Sequence, residues 1–169
     1  MKKQLLLLLS IMAPLGANPV AHTGGQVIKA ARVAHTHEEK LTVEVSAGEL
    51  FDKLTILQIK MEHITHRSKL CNIQNEREAI ELTIQTQIPM TPALSRLVAE
   101  LKAINQALWD IEDAIRAKEA AQEFDQEFID LARSVYFTND KRGMVKREIN
   151  ELVGSRLMEE KQYTNYEQK

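Results

Sequence analysis

A row of polar side chains lies on one side of the segment NQALWDIEDAIRAKE, residues 105–119. At about 100 degrees per helical residue, this row falls some 80 degrees to one side of the apolar seam. Its members are Asn105, Trp109, Glu112 and Arg116. Glu112 precedes Arg116 by four residues, which favours an ion pair within the helix worth about 0.2–0.5 kcal/mol. The opposite flank carries small residues, Ala103, Ala107, Ala114 and Ala121, which predict a close helix contact there and a polar groove beside Trp109.

A second polar row interrupts the seam of the last helical segment, between Val135 and Val145. The seam positions there are Thr138 and Arg142, and three further polar residues lie beside them: Asn139, Lys146 and Asn150. An arginine at a bundle seam is costly unless a carboxylate meets it. Three acids are candidates for that partner, one on the preceding helix and two on the first: Glu112, Glu62 and Asp52.

The two rows together are compatible with two roles. As a polar pocket they would bind a small anionic molecule, through Asn105, Trp109, Glu112, Arg116, Asn139, Arg142 and Lys146. Alternatively, polar groups at seam positions fix helix register and oligomeric state. We favour the structural role, because ion-pair networks that only stabilise a fold resemble active sites.

Other chemistry finds little support in the residue pattern. His35 and His37 lie in a segment without acids or cysteines at helical spacing, so no metal site is predicted. No glycine-rich phosphate loop, Gly-x-Ser-x-Gly elbow or Cys-His arrangement is present. The single cysteine, Cys71, is expected to be a small buried residue rather than a nucleophile. We therefore predict no catalytic residue, no metal and no cofactor.

Composition narrows the class of protein. The 169 residues include 22 Lys and Arg against 24 Asp and Glu, so no net positive charge is available for a nucleic-acid backbone. Six glycines, four prolines and few aromatics are typical of a helical protein. Nucleic-acid binding is not expected.

The N-terminal sequence is typical of an export signal. Lys2 and Lys3 precede an apolar stretch that ends in small residues, so residues 1–17 are predicted to be a signal peptide, with cleavage after Ala17 or, as the alternative, after Ala21. The stretch is too short to span a bilayer stably. Cleavage would leave 20 basic and 24 acidic residues and a periplasmic or secreted protein. If residues 1–17 are not a signal, the protein is cytoplasmic.

The remaining chain is predicted to contain a linker, one helical domain and a polar tail. Residues 18–40 form a linker, residues 41–158 a helical domain and residues 159–169 a polar tail. After a short extended segment at 41–46, apolar residues recur at spacings of three and four. Ser46 with Glu49, Thr91 before Pro92, and Gly154 are predicted helix boundaries. The fold class expected is all-α, an antiparallel bundle of four helices with coiled-coil-like hairpins.

The first helix is apolar around most of its girth, so it is expected to be central. The last two helices are predicted to be longer than the first two, so they must project beyond them. An exposed apolar end is most simply covered by another copy of the chain. A homo-oligomer is therefore expected, with a second protein as a possible partner.

Three strings of the sequence resemble a family of small bacterial helical proteins without an assigned activity. The strings are SAGELFDKLTILQIKMEHI, LVAELKAINQALWDIEDAIRAKE and FIDLARSVYFTNDKRGMVKREINELVGS, and the likeness covers about residues 42–161. The resemblance implies a helical domain and no particular chemistry. Members of that family usually begin near residue 41 of this chain, so residues 1–40 depart from the pattern.

A looser likeness is to the secreted chorismate mutases, which are small, exported and all-helical. ELFDKLTILQIK followed by NEREAIEL is similar to their acid-rich first helix. The resemblance implies an enzyme that holds a dianion with converging arginines and a lysine. Here Lys53 and Lys60 stand where arginines are required, so a mutase is only an alternative to a protein without enzymatic activity.

Overall fold

The computed structural model describes residues 42–162, and helices occupy most of that range. The helices are α1 (Ala47–His63), α2 (Arg67–Gln87), α3 (Pro92–Ala121) and α4 (Gln126–Val153). Connections of three or four residues join them. The predicted all-α bundle of two shorter and two longer helices is confirmed.

Side chains and backbone conformation at the helix ends explain where each helix begins and stops. Ser46, Thr91 and Asp125 each accept a hydrogen bond from the backbone N–H three residues later, at 3.3, 3.1 and 3.0 Å. Such caps satisfy N–H groups that have no partner within the helix. α4 ends at Gly154, whose φ of 69° is the left-handed conformation that glycine adopts at little cost.

Helix α1 is the centre of the bundle, as its sequence predicts. It packs against α2, α3 and α4, and α3 packs in addition against α4. Phe51, Leu57 and Ile59 are almost fully buried although they point to different sides of α1. Gly48, near the start of α1, contacts Asn150, near the end of α4. Further along α1, Asp52 contacts Arg142, which lies earlier in α4, so the two helices run antiparallel.

The hydrophobic core joins one face of each neighbouring helix to α1. Its buried members are Ala47, Phe51, Leu54, Leu57, Ile73, Ile80, Ile84, Leu94, Leu101, Val145 and Ile149. Full burial of a leucine or isoleucine side chain contributes about 1.5–3 kcal/mol, so this cluster is the main source of stability within the described range.

The long helices extend past the core as a two-helix arm. The last buried residue of α3 is Leu108 and the first of α4 is Asn139. We call residues 109–138 the arm. At its tip Lys118 contacts the carboxylates of Glu123, Asp125 and Glu127 at 3.0, 2.9 and 2.6 Å. These contacts raise the pKa of Lys118 well above its ordinary value and tie the two helices together at the turn.

One local expectation needs correction. Cys71 is exposed, not buried, because it lies about 160 degrees around α2 from Ile73, on the face that turns away from α1. Residues 42–46, predicted to be a short extended segment, contain no helix before Ala47, and Glu44 forms an ion pair with Arg156 beyond the end of α4.

The predicted signal peptide, the linker, His35 and His37, and the last residues of the predicted polar tail lie outside the described residues. None of the four helices within residues 42–162 combines the length and apolar character needed to cross a membrane.

Candidate functional site

A buried ion pair joins α1 to α4. Arg142 donates from Nε to Asp52 Oδ1 at 2.8 Å and from Nη2 to Asp52 Oδ2 at 2.5 Å. The Asp52 side chain is 5% exposed and that of Arg142 13%. Parallel hydrogen bonds of this kind fix the relative position of the two groups as well as pairing their charges. Of the three carboxylates considered for Arg142, Asp52 is therefore its partner.

Helix α3 completes this cluster through an amide. Asn105 Nδ2 donates to Asp52 Oδ1 and to Thr55 Oγ1, both at 2.9 Å. Thr55 in turn donates to the backbone carbonyl oxygen of Asp52 at 2.9 Å. Three helices thus meet at the Asp52 carboxylate. The two donors, Asn105 and Arg142, each lie within one helical turn of a buried apolar residue of their own helix.

The electrostatics of Asp52 follow from two opposing effects. Burial by itself raises the pKa of the Asp52 carboxyl. The hydrogen bonds and charge of Arg142, with a further hydrogen bond from Asn105, lower that pKa by more, so it lies below its ordinary value. Arg142 is affected in the complementary sense: burial lowers its pKa, and Asp52, together with the charges of Glu49 and Glu159, raises it by more. Both groups therefore remain charged at neutral pH.

Acid should weaken the fold through Asp52. Its pKa is lower in the folded than in the unfolded chain, so its contribution is complete above the unfolded value of about 4 and is lost as the pH falls below it. We expect the free energy of unfolding, measured by urea denaturation from pH 7 to pH 3, to decrease most steeply below pH 4. A variant with Asp52→Leu and Arg142→Met should show a shallower decrease, and an equal decrease would contradict the assignment.

A second cation lies one helical turn further along α4. Lys146 Nζ contacts Glu49 on α1 and, at 2.8 Å, Glu159 in the segment that follows α4. Its side chain is only 7% exposed. Burial lowers the pKa of Lys146, but the carboxylates of Glu159 and Glu49, together with the charge of Asp52, raise it by more. Glu49 thus binds Lys146, a role in addition to its predicted place in the capping pattern with Ser46.

The helices that carry these charges approach very closely at one glycine. Gly48 N–H donates to Asn150 Oδ1 at 2.6 Å. A Cβ atom at Gly48 would lie 2.5 Å from the backbone carbonyl oxygen of Lys146 and 3.1 Å from Asn150 Oδ1. Only glycine allows this approach without displacing backbone. Ala47 N–H, next to it, donates to Ser155 Oγ at 3.2 Å.

The seven predicted site residues divide into two groups. Asn105 and Arg142 meet at Asp52, and Lys146 and the buried Asn139 lie near them on α4. The other three, Trp109, Glu112 and Arg116, continue along α3 into the arm. Glu112 and Arg116 form the predicted ion pair within the helix at 2.7 Å, on the surface.

Trp109 is shielded by a ring from α1. The indole stacks on the imidazole of His63 with a centroid distance of 5.0 Å and an interplanar angle of 26°. His63 also lies within hydrogen-bonding distance of Gln106, one turn earlier on α3. Within residues 42–162, the buried Nε1 of Trp109 makes no hydrogen bond.

The sequence interpretation did not assign four members of the cluster to the site: Gly48, Glu49, Thr55 and Glu159. It noted Asn150 only as a polar residue beside the α4 seam. One signal was available. Glu49 and Asp52 are three apart on α1, while Arg142 and Lys146 are four apart on α4. When the two helices run antiparallel, two acids one turn apart on α1 can each face one of two bases one turn apart on α4. Their alignment then places Asn150 opposite Gly48.

The cluster leaves few groups for external chemistry. Arg142 is occupied by Asp52, and Lys146 by two carboxylates. Lys53 stands where the resemblance to chorismate mutases requires an arginine that binds the substrate. Its side chain is exposed and contacts Glu76 at 2.6 Å. Within residues 42–162, no three His, Cys, Asp or Glu side chains are grouped to hold a metal ion.

Comparison with known proteins supports the resemblance found in the sequence. Residues 41–167 match the sequence model of the Family of unknown function (DUF6165). No curated protein and no solved structure matches the chain. The match covers most of the chain and includes all four helices. The protein therefore belongs to the DUF6165 family of helical domains.

Proposed function

We propose that this protein is a helical interaction module that self-associates through its arm. The observation that carries the proposal is that residues 109–138 contain no buried side chain. The C-terminal end of α1 reaches α3 at Gln106 and Trp109, and α2 packs against α1 but against neither α3 nor α4. Side chains that are half-buried or exposed along a helix pair contribute little to its stability, since helix stability in proteins comes mostly from tertiary contacts.

Apolar side chains in the arm support an interface there. Phe124 is 55% exposed at the tip, and Ile129 is 47% exposed on the side of α4 that faces away from α3. Further apolar residues between the helices are only half-buried: Ile111, Ile115, Phe128, Leu131 and Val135. A second arm packed alongside would bury both sets and give each helix more neighbours.

The buried polar cluster supports the same reading. Arg142 and Asn105 both donate hydrogen bonds to Asp52, so the three residues set the alignment of three helices instead of facing a ligand. A fixed alignment holds α3 and α4 rigidly at the base of the arm. Such pre-organisation reduces the entropy lost when the arm binds a partner.

The charge of the arm gives the proposal a distinctive test. Residues 109–138 hold eight acidic and three basic residues, a net charge of −5. Two arms side by side repel each other, and salt screens that repulsion over a Debye length of about 10 Å at 0.1 M. Self-association should therefore strengthen with salt, whereas binding to a basic protein should weaken.

We expect sedimentation equilibrium to show a dimer whose dissociation constant falls at least about threefold between 50 and 500 mM NaCl. Ile129→Glu should shift it to monomer, because it adds a charge to the proposed interface. Leu82→Glu is the matched control, since Leu82 is 62% exposed on α2 outside the arm. A monomer at all salt concentrations up to about 100 μM protein would refute self-association and leave a basic partner protein as the arm's occupant.

A further inference from the structure

Helix α2 is held in the bundle by α1 alone. It packs against α1 and against neither α3 nor α4. Lys53 on α1 contacts Glu76 on α2 at 2.6 Å, but both side chains are exposed, and exposed pairs contribute little. By contrast, the buried hydrogen bonds that Asp52 accepts from Asn105 and Arg142 tie α1 to α3 and α4. These three helices therefore keep their mutual contacts if α2 moves away.

The ends of α2 lack stabilising groups. Its N-cap residue, His66, makes no capping hydrogen bond through its side chain, whereas each of the other three helices has a serine, threonine or aspartate cap. The first turn holds no acid, and Arg67 and Lys69 lie beside the partial positive charge of the helix N-terminus. The last turn holds no base. Helix α2 therefore depends on its contacts with α1.

An arginine interrupts the face through which α2 packs. The buried residues of α2 are Ile73, Ile80 and Ile84, and Arg77 lies where their spacing requires another apolar side chain. Within residues 42–162, the buried Nε of Arg77 makes no hydrogen bond, and Glu81 Oε1 lies 3.4 Å from it. A buried N–H group without an acceptor costs stability. Helix α2 thus fits its place on α1 less well than a helix with an apolar residue at this position.

A mismatch of charge adds to this poor fit. Lys53 and Lys60 lie seven residues apart on one flank of α1. Helices α1 and α2 pack along each other and are joined by three residues, so they run antiparallel. The contact of Lys53 with Glu76 then places Lys69 level with Lys60, since each lies seven residues from that contact in opposite directions along the chain. Helix α2 therefore presents an acid to the first lysine and a base to the second.

The surface that α2 covers is an apolar row on α1. Leu50, Leu54, Leu57 and Met61 recur there at spacings of four, three and four, and all four belong to the hydrophobic core or pack against it. Lys53, which contacts α2, lies directly beside this row, so the row faces α2. An apolar row of this spacing, flanked by charges, is a surface to which an amphipathic helix binds.

We propose that α2 is a displaceable lid, and that the apolar row of α1 beneath it binds an amphipathic helix of a partner protein. The partner helix has apolar residues at the positions of the three buried isoleucines of α2, a further one in place of Arg77, and an acid in place of Lys69. The lid and the partner compete for one surface, so the affinity is lowered by the fraction of molecules in which the lid is closed. The surface lies outside the arm, so it is independent of the proposed self-association.

The test uses the full chain and a labelled peptide with the sequence of residues 67–87 that carries Lys69→Glu and Arg77→Leu. Helix α2 has three bases and three acids, so the altered peptide has one base and four acids, and the acidic chain attracts it little. Under reducing conditions we expect this peptide to bind at least about tenfold more tightly than the unaltered α2 peptide in fluorescence anisotropy, because it lacks the unpaired N–H group and can face Lys60 with an acid. Equal binding of the two peptides, or no binding of either, would overturn the proposal.

The same two substitutions within the chain should close the lid. We expect the Lys69→Glu/Arg77→Leu chain to bind the altered peptide at least about tenfold more weakly than the unaltered chain. Hydrogen exchange of the α2 amides should slow at least about tenfold in this variant, with exchange in α3 unchanged. Arg96→Leu/Lys141→Glu, which makes the same change in charge at exposed positions of α3 and α4, should behave like the unaltered chain. Undiminished peptide binding, or unchanged exchange in α2, would contradict a lid whatever the oligomeric state.

Discussion

Replacing Asp52 with asparagine should lower the free energy of unfolding by about 3–5 kcal/mol, because it leaves the Arg142 guanidinium buried without its counter-charge. The substitution preserves the shape of the side chain, so the loss reflects charge and hydrogen bonding and not a cavity. Arg142 donates two hydrogen bonds to the Asp52 carboxylate, and an amide can accept only at its oxygen. Urea denaturation followed by circular dichroism would measure the change.

Two variants control this prediction. Glu112→Gln removes the same charge from the exposed pair with Arg116, and we expect a change within about 0.5 kcal/mol. Asp52→Leu with Arg142→Met removes both charges and should recover most of the lost stability, as apolar replacement of buried pairs often does. If Asp52→Asn were as stable as the unaltered protein, Asp52 and Arg142 would not form a buried ion pair in solution.

Replacing Gly48 with alanine should destabilise the fold by about 1–3 kcal/mol, the usual cost of overpacking a tight contact. The new Cβ would lie 2.5 Å from the carbonyl oxygen of Lys146, and a backbone atom within α4 can move only if the helices separate. Separation would also stretch the hydrogen bond from Gly48 N–H to Asn150 Oδ1. Thermal or chemical denaturation would give the size of the effect.

Gly143→Ala is the matched control, since it places the same methyl group at the other glycine that lies within a helix, here α4. There the nearest atom is the flexible end of Lys161, at 3.2 Å, which can move aside. Alanine is favoured over glycine in a helix by about 1 kcal/mol, so this variant should be neutral or more stable. Similar losses at both positions would mean that α1 and α4 do not approach closely at Gly48.

The sequence predicts the helices well because the signals that define them are local. Ser46, Thr91 before Pro92, and Gly154 act on backbone groups within a few residues, and each is found at the helix end it predicts. The apolar girth of α1 likewise predicts its central position. Each of these features depends on residues that are neighbours in sequence, so no knowledge of the tertiary arrangement is required.

The site was harder to predict because its contacts link distant parts of the chain. Asp52 and Arg142 are 90 positions apart, and counting along the α3–α4 hairpin cannot distinguish Asp52 from Glu112 as the partner. The flanks of α3 were also assigned the wrong way round. Asn105, on the predicted open groove, is buried against α1, whereas Ala103 and Ala107, on the predicted tight contact, are exposed. Both the partner of Arg142 and the buried flank of α3 depend on where α1 packs. The spacing of apolar residues in α3 alone does not predict that position.

The close approach of α1 to the end of α4 bears on how the chain acquires its structure during synthesis. Gly48 and Asn150 are separated by 102 positions, and a ribosome that adds about 5–20 residues per second needs roughly 5–20 s to cover that interval. Over that period the first helix has neither its acceptor for Gly48 N–H nor the guanidinium that neutralises Asp52. Nascent chains should therefore remain sensitive to protease until the last turns of α4 emerge, and the domain should fold in a single late step after translation.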